Sequence, residues 1–124
     1  MDIKTQLIEI SEPHINDEIC GFIHKSGDDF VFKSAKNRSP SPDEFFYISS
    51  IDFLKAKEDN LVAIFHNHCE GTEEPSSFDL IMTENTCFPA VIYSNLTKKF
   101  GVFVPKYIDC DVKDIEGLRE QLND

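Results

Sequence analysis

Residues 61–68, LVAIFHNH, constrain the fold of this chain more than any other segment. A continuous apolar run that turns abruptly polar reads as a strand buried on both faces. A strand of that kind needs a layer packed above it and another below. The rest of the sequence therefore has to supply helices on both sides of a sheet.

The flanking patterns supply them. Ile3, Leu7 and Ile10 fall at helical spacing near the start, and Pro13 ends that helix. EICGFIH (18–24) and FVFKSA (30–35), joined by the turn KSGDD, read as a hairpin. Gly21 inside the first of these strands implies close approach of a neighbouring backbone or side chain. NRSPSPDE (37–44) is an exposed loop. SSIDFLKAKED (49–59) reads as a helix opened by a capping box of Ser49 and Asp52. SSFDLIMTENT (76–86) is a second helix with Phe78, Ile81 and Met82 expected on its buried side. PAVIYS (89–94) and KFGVFVP (99–105) are two strands joined by NLTK. In the tail, 106–124, Ile115, Leu118 and Leu122 form a helical stripe, either docked or partner-binding. The order α-β-β-α-β-α-β-β-α predicts an α/β fold, a mixed β-sheet sandwiched by helices.

At 124 residues, with 40% hydrophobic residues, the chain is expected to form one globular domain spanning 1–124. Its formal net charge of −11 repels phosphates, so nucleic acid and anionic membranes are poor partners. No stretch has the roughly 20 apolar residues of a membrane span. The acidic start MDIKTQLIEISEP lacks the pattern of a secretory signal. Cys20, Cys69, Cys87 and Cys110 are widely spaced, so reduced thiols in a cytoplasm are expected rather than a disulfide framework. Cys20 and Cys87 read as small core residues, and His14 and His24 as surface histidines.

The chemistry concentrates in FHNHCEGTEEPSSFD, residues 65–79. His66 and His68, two apart on a strand, point to the same side and can share a cation. Ten residues of loop, 69–78, are enough to bring Asp79 back to the strand end. Two imidazoles and a carboxylate suit zinc, and three protein ligands leave a fourth position for water. Cys69 and Glu70 are alternative ligands, while Glu73 and Glu74 read as solvated loop charges. The plainer reading of the same residues is a polar loop followed by a helix that starts S-x-x-D.

The spacing His66, His68, seven residues, Ser76, two residues, Asp79 resembles the H-x-H-x7-S-x2-D motif of the JAMM metalloenzymes, which carry the JAB/MPN domain. Given an H-x-H, chance places both the Ser and the Asp correctly in about one case in 300. Glu18 just before Cys20-Gly21 is similar to the family's early-strand glutamate, and Pro75-Ser76 to its usual lead into the helix. Cys69 is a departure, since many members have proline there. The resemblance covers about residues 3 to 105 and implies the JAB/MPN, cytidine-deaminase-like architecture. It also implies one zinc per chain, held by His66, His68 and Asp79, with catalytic roles for Glu18 and Ser76.

Water bound to such a zinc has a pKa near 7. Glu18 would take its proton and pass it to the leaving amine. Ser76 would donate to the developing oxyanion, with Ser77 free to take over the cap by a one-residue shift of the helix start. The implied activity is hydrolysis of an amide or isopeptide bond in a protein or peptide substrate. In its compactness the chain resembles the minimal prokaryotic and phage tail-assembly JAB domains. Other phage tail proteins are then expected partners, and virion association an expected location beside the cytoplasm. The alternative is a phage tail-assembly or tail-tip component acting as a structural or interaction module, or as a cell-wall peptide hydrolase.

Overall fold

The computed structural model describes residues 1–42 and 46–123. Asp43 and Glu44, the end of the predicted loop, lie outside the described residues. Nine elements follow in the predicted order: α1 (Ile3–Ser11), β1 (Cys20–Ser26), β2 (Asp29–Ala35), α2 (Ser50–Lys57), β3 (Leu61–His68), α3 (Ser77–Thr86), β4 (Ala90–Ser94), β5 (Phe100–Phe103) and α4 (Val112–Asn123). They form a mixed five-stranded sheet, ordered β2-β1-β3-β4-β5, and four helices. β3 and β4 are parallel, with α3 in the crossover between them, and the other pairs are antiparallel.

β3 is the central strand, and seven of its eight residues are buried. Its side chains divide between two cores, alternation being interrupted near Val62, where the pairing with β1 shifts register between Ile23 and His24. On one face Val62, Ala63 and Phe65 join Ile3 and Leu7 of α1 and Leu118 and Leu122 of α4. On the other, Leu61 and Ile64 join Phe22, Phe46, Phe88 and Ala56 of α2. The tail helix is thus docked: Ile115, Leu118 and Leu122 are all buried.

Four local expectations need correction. His24 is buried at 4% exposure, not on the surface. Its Nδ1 lies 2.6 Å from the Asp59 carbonyl oxygen, a partner brought by the loop before β3. Cys87 is half-buried and closes α3 with left-handed backbone, φ 63°, so it serves as a helix stop more than as core. α3 turns Asp79 and Thr83 inward and leaves Ile81 60% exposed. The helix has rotated its polar positions toward the sheet, which apolar periodicity alone does not foresee. At α2, Ser49 Oγ accepts from the Asp52 N–H at 3.2 Å, whereas the reciprocal capping box is found at α3.

Gly21 of β1 pairs with Ser34 of β2. A Cβ there would meet the Lys33 carbonyl oxygen and come within 2.6 Å of the Phe32 ring. Backbone cannot yield as a flexible side chain does, so the expected cost of Gly21→Ala is about 1–3 kcal/mol. The measurement is a denaturant midpoint at unchanged m-value.

Candidate metal centre

The site lies at the C-terminal end of the parallel pair β3 and β4, where open α/β sheets commonly place their ligands. β3 contributes His66 and His68, whose Nε2 atoms are 3.1 Å apart. α3 contributes Asp79 from its first turn. Asp79 Oδ1 is 3.2 Å from His66 Nε2, and Oδ2 is 2.9 Å from His68 Nε2. Ligand atoms placed about 2.0–2.1 Å from a tetrahedral centre lie roughly 3.3 Å from one another. The contacts run to different Asp79 oxygens, and they bring the three side chains close enough to share one cation.

The cap and the carboxylate belong to one device. Ser76 is the N-cap of α3, and its Oγ accepts from the Asp79 N–H at 3.1 Å. Asp79 Oδ2 accepts in return from the Ser76 N–H at 2.9 Å. This capping box fixes the Asp79 rotamer and leaves Oδ1 and the remaining lone pairs aimed at the histidines. The helix starts at Ser77, so the one-residue shift that would give Ser77 the cap is not the arrangement adopted. The Ser76 hydroxyl accepts at the cap and retains its own proton for donation.

Protonation follows from the partners. His68 Nδ1 lies 2.7 Å from the Thr72 carbonyl oxygen, so Nδ1 carries a proton and donates there. In neutral His68, Nε2 would then face the Asp79 carboxylate with a bare lone pair. A proton or a metal cation between them removes that repulsion. Burial disfavours the His68 cation, but the Asp79 bond and the Thr72 carbonyl outweigh it and raise the pKa. His66 is buried at 1% exposure, and burial prevails there and lowers its pKa. Its Nδ1 has no hydrogen-bond partner among the described residues, and the Phe46 ring stacks on it at 4.3 Å. Burial pushes the Asp79 pKa up, but the bonds to His66, His68 and the Ser76 N–H overcome this and hold it well below the ordinary carboxylate range. In the metal-free chain a proton between His68 and Asp79 is thus favoured. A cation with borderline affinity for nitrogen and oxygen would take its place, so the donor set fits zinc.

Glu18, just before β1, is 6% exposed, and a carboxylate oxygen lies within 4.8 Å of ring nitrogens of His66 and His68. Burial raises its pKa from 4.5 to about 8; the His68 charge opposes the rise and the Asp79 charge adds to it. Cys69 and Glu70 are not drawn in. The Cys69 sulfur faces the His14 carbonyl oxygen at 3.5 Å, and Glu70 is exposed. Glu73 is tied down rather than freely solvated, accepting from the Thr97 hydroxyl at 2.7 Å. Glu74 is exposed, as expected. A cleft of about 280 Å³ with apolar walls that include Phe22, Phe53 and Phe88 opens onto His66 and Asp79. Neither the Thr72 carbonyl nor the Phe46 ring was foreseen. Both act through tertiary placement and carry no motif of their own.

The raised Glu18 pKa has a consequence for the chelated, metal-free protein. Folding binds the Glu18 proton more tightly, so that stabilisation is complete below about pH 4.5 and is lost as pH rises through about 8. A shift of this size is worth roughly 5 kcal/mol at most. Glu18→Gln is expected to match wild type in melting temperature near pH 4.5 and to exceed it increasingly toward pH 8. Parallel melting curves that stay a constant distance apart would contradict the buried assignment.

No family profile matches the chain. In overall shape it is similar to the solution structure of a protein from Desulfitobacterium hafniense, with a TM-score of 0.60 at 19% identity over 79% of this chain and 75% of that one. That likeness concerns the fold alone. In sequence the chain is 31% identical over 78 residues to the tail tip assembly protein K of Escherichia phage N15. The match takes in 62% of this chain and 32% of the relative, so it spans about a third of that protein's length.

Proposed function

We propose that the chain is a zinc-dependent hydrolase of amide or isopeptide bonds, of the JAMM type, working in the tail-tip assembly of a phage. The observation that carries the hydrolase reading is the convergence of His66, His68 and Asp79 at 2.9–3.2 Å, with buried Glu18 beside them. A cation in this cradle supplies an acidified water near neutral pH.

The chain's own groups then divide the remaining work. His66, His68 and Asp79 would hold the cation, and the Thr72 carbonyl keeps His68 in the tautomer whose Nε2 is free to bind it. Glu18 sits where its carboxylate can accept a proton and return it to the departing amine. A cation close by favours its ionised form and offsets part of the burial effect, leaving it poised for both steps. Ser76 holds Asp79 through the cap and keeps a hydroxyl proton for the oxyanion. The apolar cleft that opens onto His66 and Asp79 would offer an apolar part of the substrate a place to bind.

The similarity to a tail tip assembly protein also supports a second reading, a tail component that acts through its surface. The two readings differ in what Glu18 and zinc do. Purified wild type is expected to hold about one zinc per chain, and His66→Ala to lose it. Glu18→Gln is expected to keep zinc and lose cleavage of peptidoglycan crosslink peptides or isopeptide-linked proteins. Full zinc occupancy with no cleavage of either class by wild type would favour the assembly role.

Ser76→Ala separates cap from catalysis. Loss of the cap bond costs about 1 kcal/mol of stability. Loss of an oxyanion donor slows turnover about 100- to 1000-fold. Turnover near wild type in a Ser76→Ala protein with a lowered melting temperature would restrict Ser76 to the cap.

A further inference from the structure

Between the two histidines stands Asn67, fully buried and on the opposite face of β3. The antiparallel register of β1 with β3 ends at the pair Cys20 and His66. One residue further, the Ile19 N–H does not reach a main-chain carbonyl of β3. It donates instead to Asn67 Oδ1 at 2.7 Å, while the Asn67 N–H donates to the Ile19 carbonyl at 3.3 Å. The Asn67 side-chain amide thus extends the strand pairing by one residue, to the residue next to Glu18. Its Nδ2 donates to the His14 carbonyl at 3.1 Å and to Asn95 Oδ1 at 3.2 Å. Asn95 in turn donates from its backbone N–H to the His68 carbonyl at 3.0 Å and from Nδ2 to the Ser11 carbonyl at 3.0 Å.

We propose that Asn67 is a positioning residue, whose buried amide locks the Glu18 segment to the strand that carries His66 and His68. The segment is also held from outside: the Glu18 N–H donates to the Pro42 carbonyl at 2.6 Å, and Asn37 Nδ2 donates to the Glu18 carbonyl at 2.8 Å. Those two bonds tie Glu18 to a loop. Only the Asn67 bonds, among those of the described residues, tie its neighbour Ile19 directly to the histidine strand. A shift of the strand end therefore carries Glu18 with it, and the distance from carboxylate to imidazoles is preserved. The amide suits this task. A single Asn offers one acceptor to Ile19 and two donors to the His14 carbonyl and Asn95, so every polar atom is satisfied in a dry site.

The structural part of this proposal is independent of catalysis, while its kinetic part rests on the hydrolase reading. The first test uses metal-free protein and NMR. Asn67→Ala is expected to speed exchange of the Ile19 amide about tenfold, and to abolish proton contacts between the Glu18 side chain and the His68 ring. Asn95→Ala, which disturbs the same buried network but leaves the Ile19 bond, is expected to keep both. Unchanged exchange and contacts in Asn67→Ala would overturn the proposal, as would equal losses in Asn95→Ala. If Asn67→Ala does not fold, Asn67→Ser is read by the same criteria, since its shorter hydroxyl does not reach Ile19.

The second test uses zinc-loaded protein and a cleavable isopeptide substrate. Asn67→Ala is expected to lower kcat with KM unchanged, and to add no further loss in a Glu18→Gln background. Additive losses would show that Asn67 does not act through Glu18. A wild type that takes up no zinc sinks the hydrolase reading, and the metal-free measurement still decides Asn67.

Discussion

The Asp79 carboxylate joins the two halves of the site. One oxygen closes the capping box with the Ser76 N–H and meets His68; the other meets His66. Helix α3 can therefore start only where the strand β3 has just ended with its imidazoles turned to the same side. The loop between them is held to that geometry by His68 Nδ1 on the Thr72 carbonyl and by Ser94 Oγ on the Gly71 carbonyl at 2.6 Å. The bonds that make a polar loop and a well-capped helix also form the proposed cation cradle. The cap removes the entropy that a free aspartate would lose on binding, so the ligand is preorganised.

The charges in the cradle depend on burial as much as on contact. Asp79 is held ionised by its bonds to both histidines, although burial opposes its charge. Glu18 is also buried but has no such direct carboxylate bond among the described residues, and its pKa rises to about 8. Two carboxylates in one pocket are thereby driven apart in acidity. One is fit to hold a cation and the other to carry a proton, a separation typical of acid–base sites.

Cleavage at a tail tip would join the two lines of support. On the proposed reading, an acidic chain with an apolar cleft beside His66 and Asp79 would suit a peptide substrate better than a nucleic acid. The relative's printed role is assembly, and this chain matches about a third of it. The rest of that protein lies outside the match.

Much of the architecture was legible in the chain. The apolar run 61–65 required two covering layers because a strand with no polar side must be buried on both faces, and α1 with α4 and α2 with α3 provide them. The His-x-His pair and Asp79 were legible because strand alternation and loop length fix which side chains can meet. Other features were decided by tertiary structure alone. The inward rotation of α3 and the burial of His24 depend on partners far away in sequence, Asp79 finding His66 and His68, and His24 finding the Asp59 carbonyl. The elevation of the Glu18 pKa comes from desolvation, which no local pattern encodes. No sequence pattern marked Asn67. Its role arises only once folding brings Ile19, 48 residues away, within 2.7 Å of its amide oxygen. Sequence determined which groups could meet; packing decided their protonation and what holds them in place.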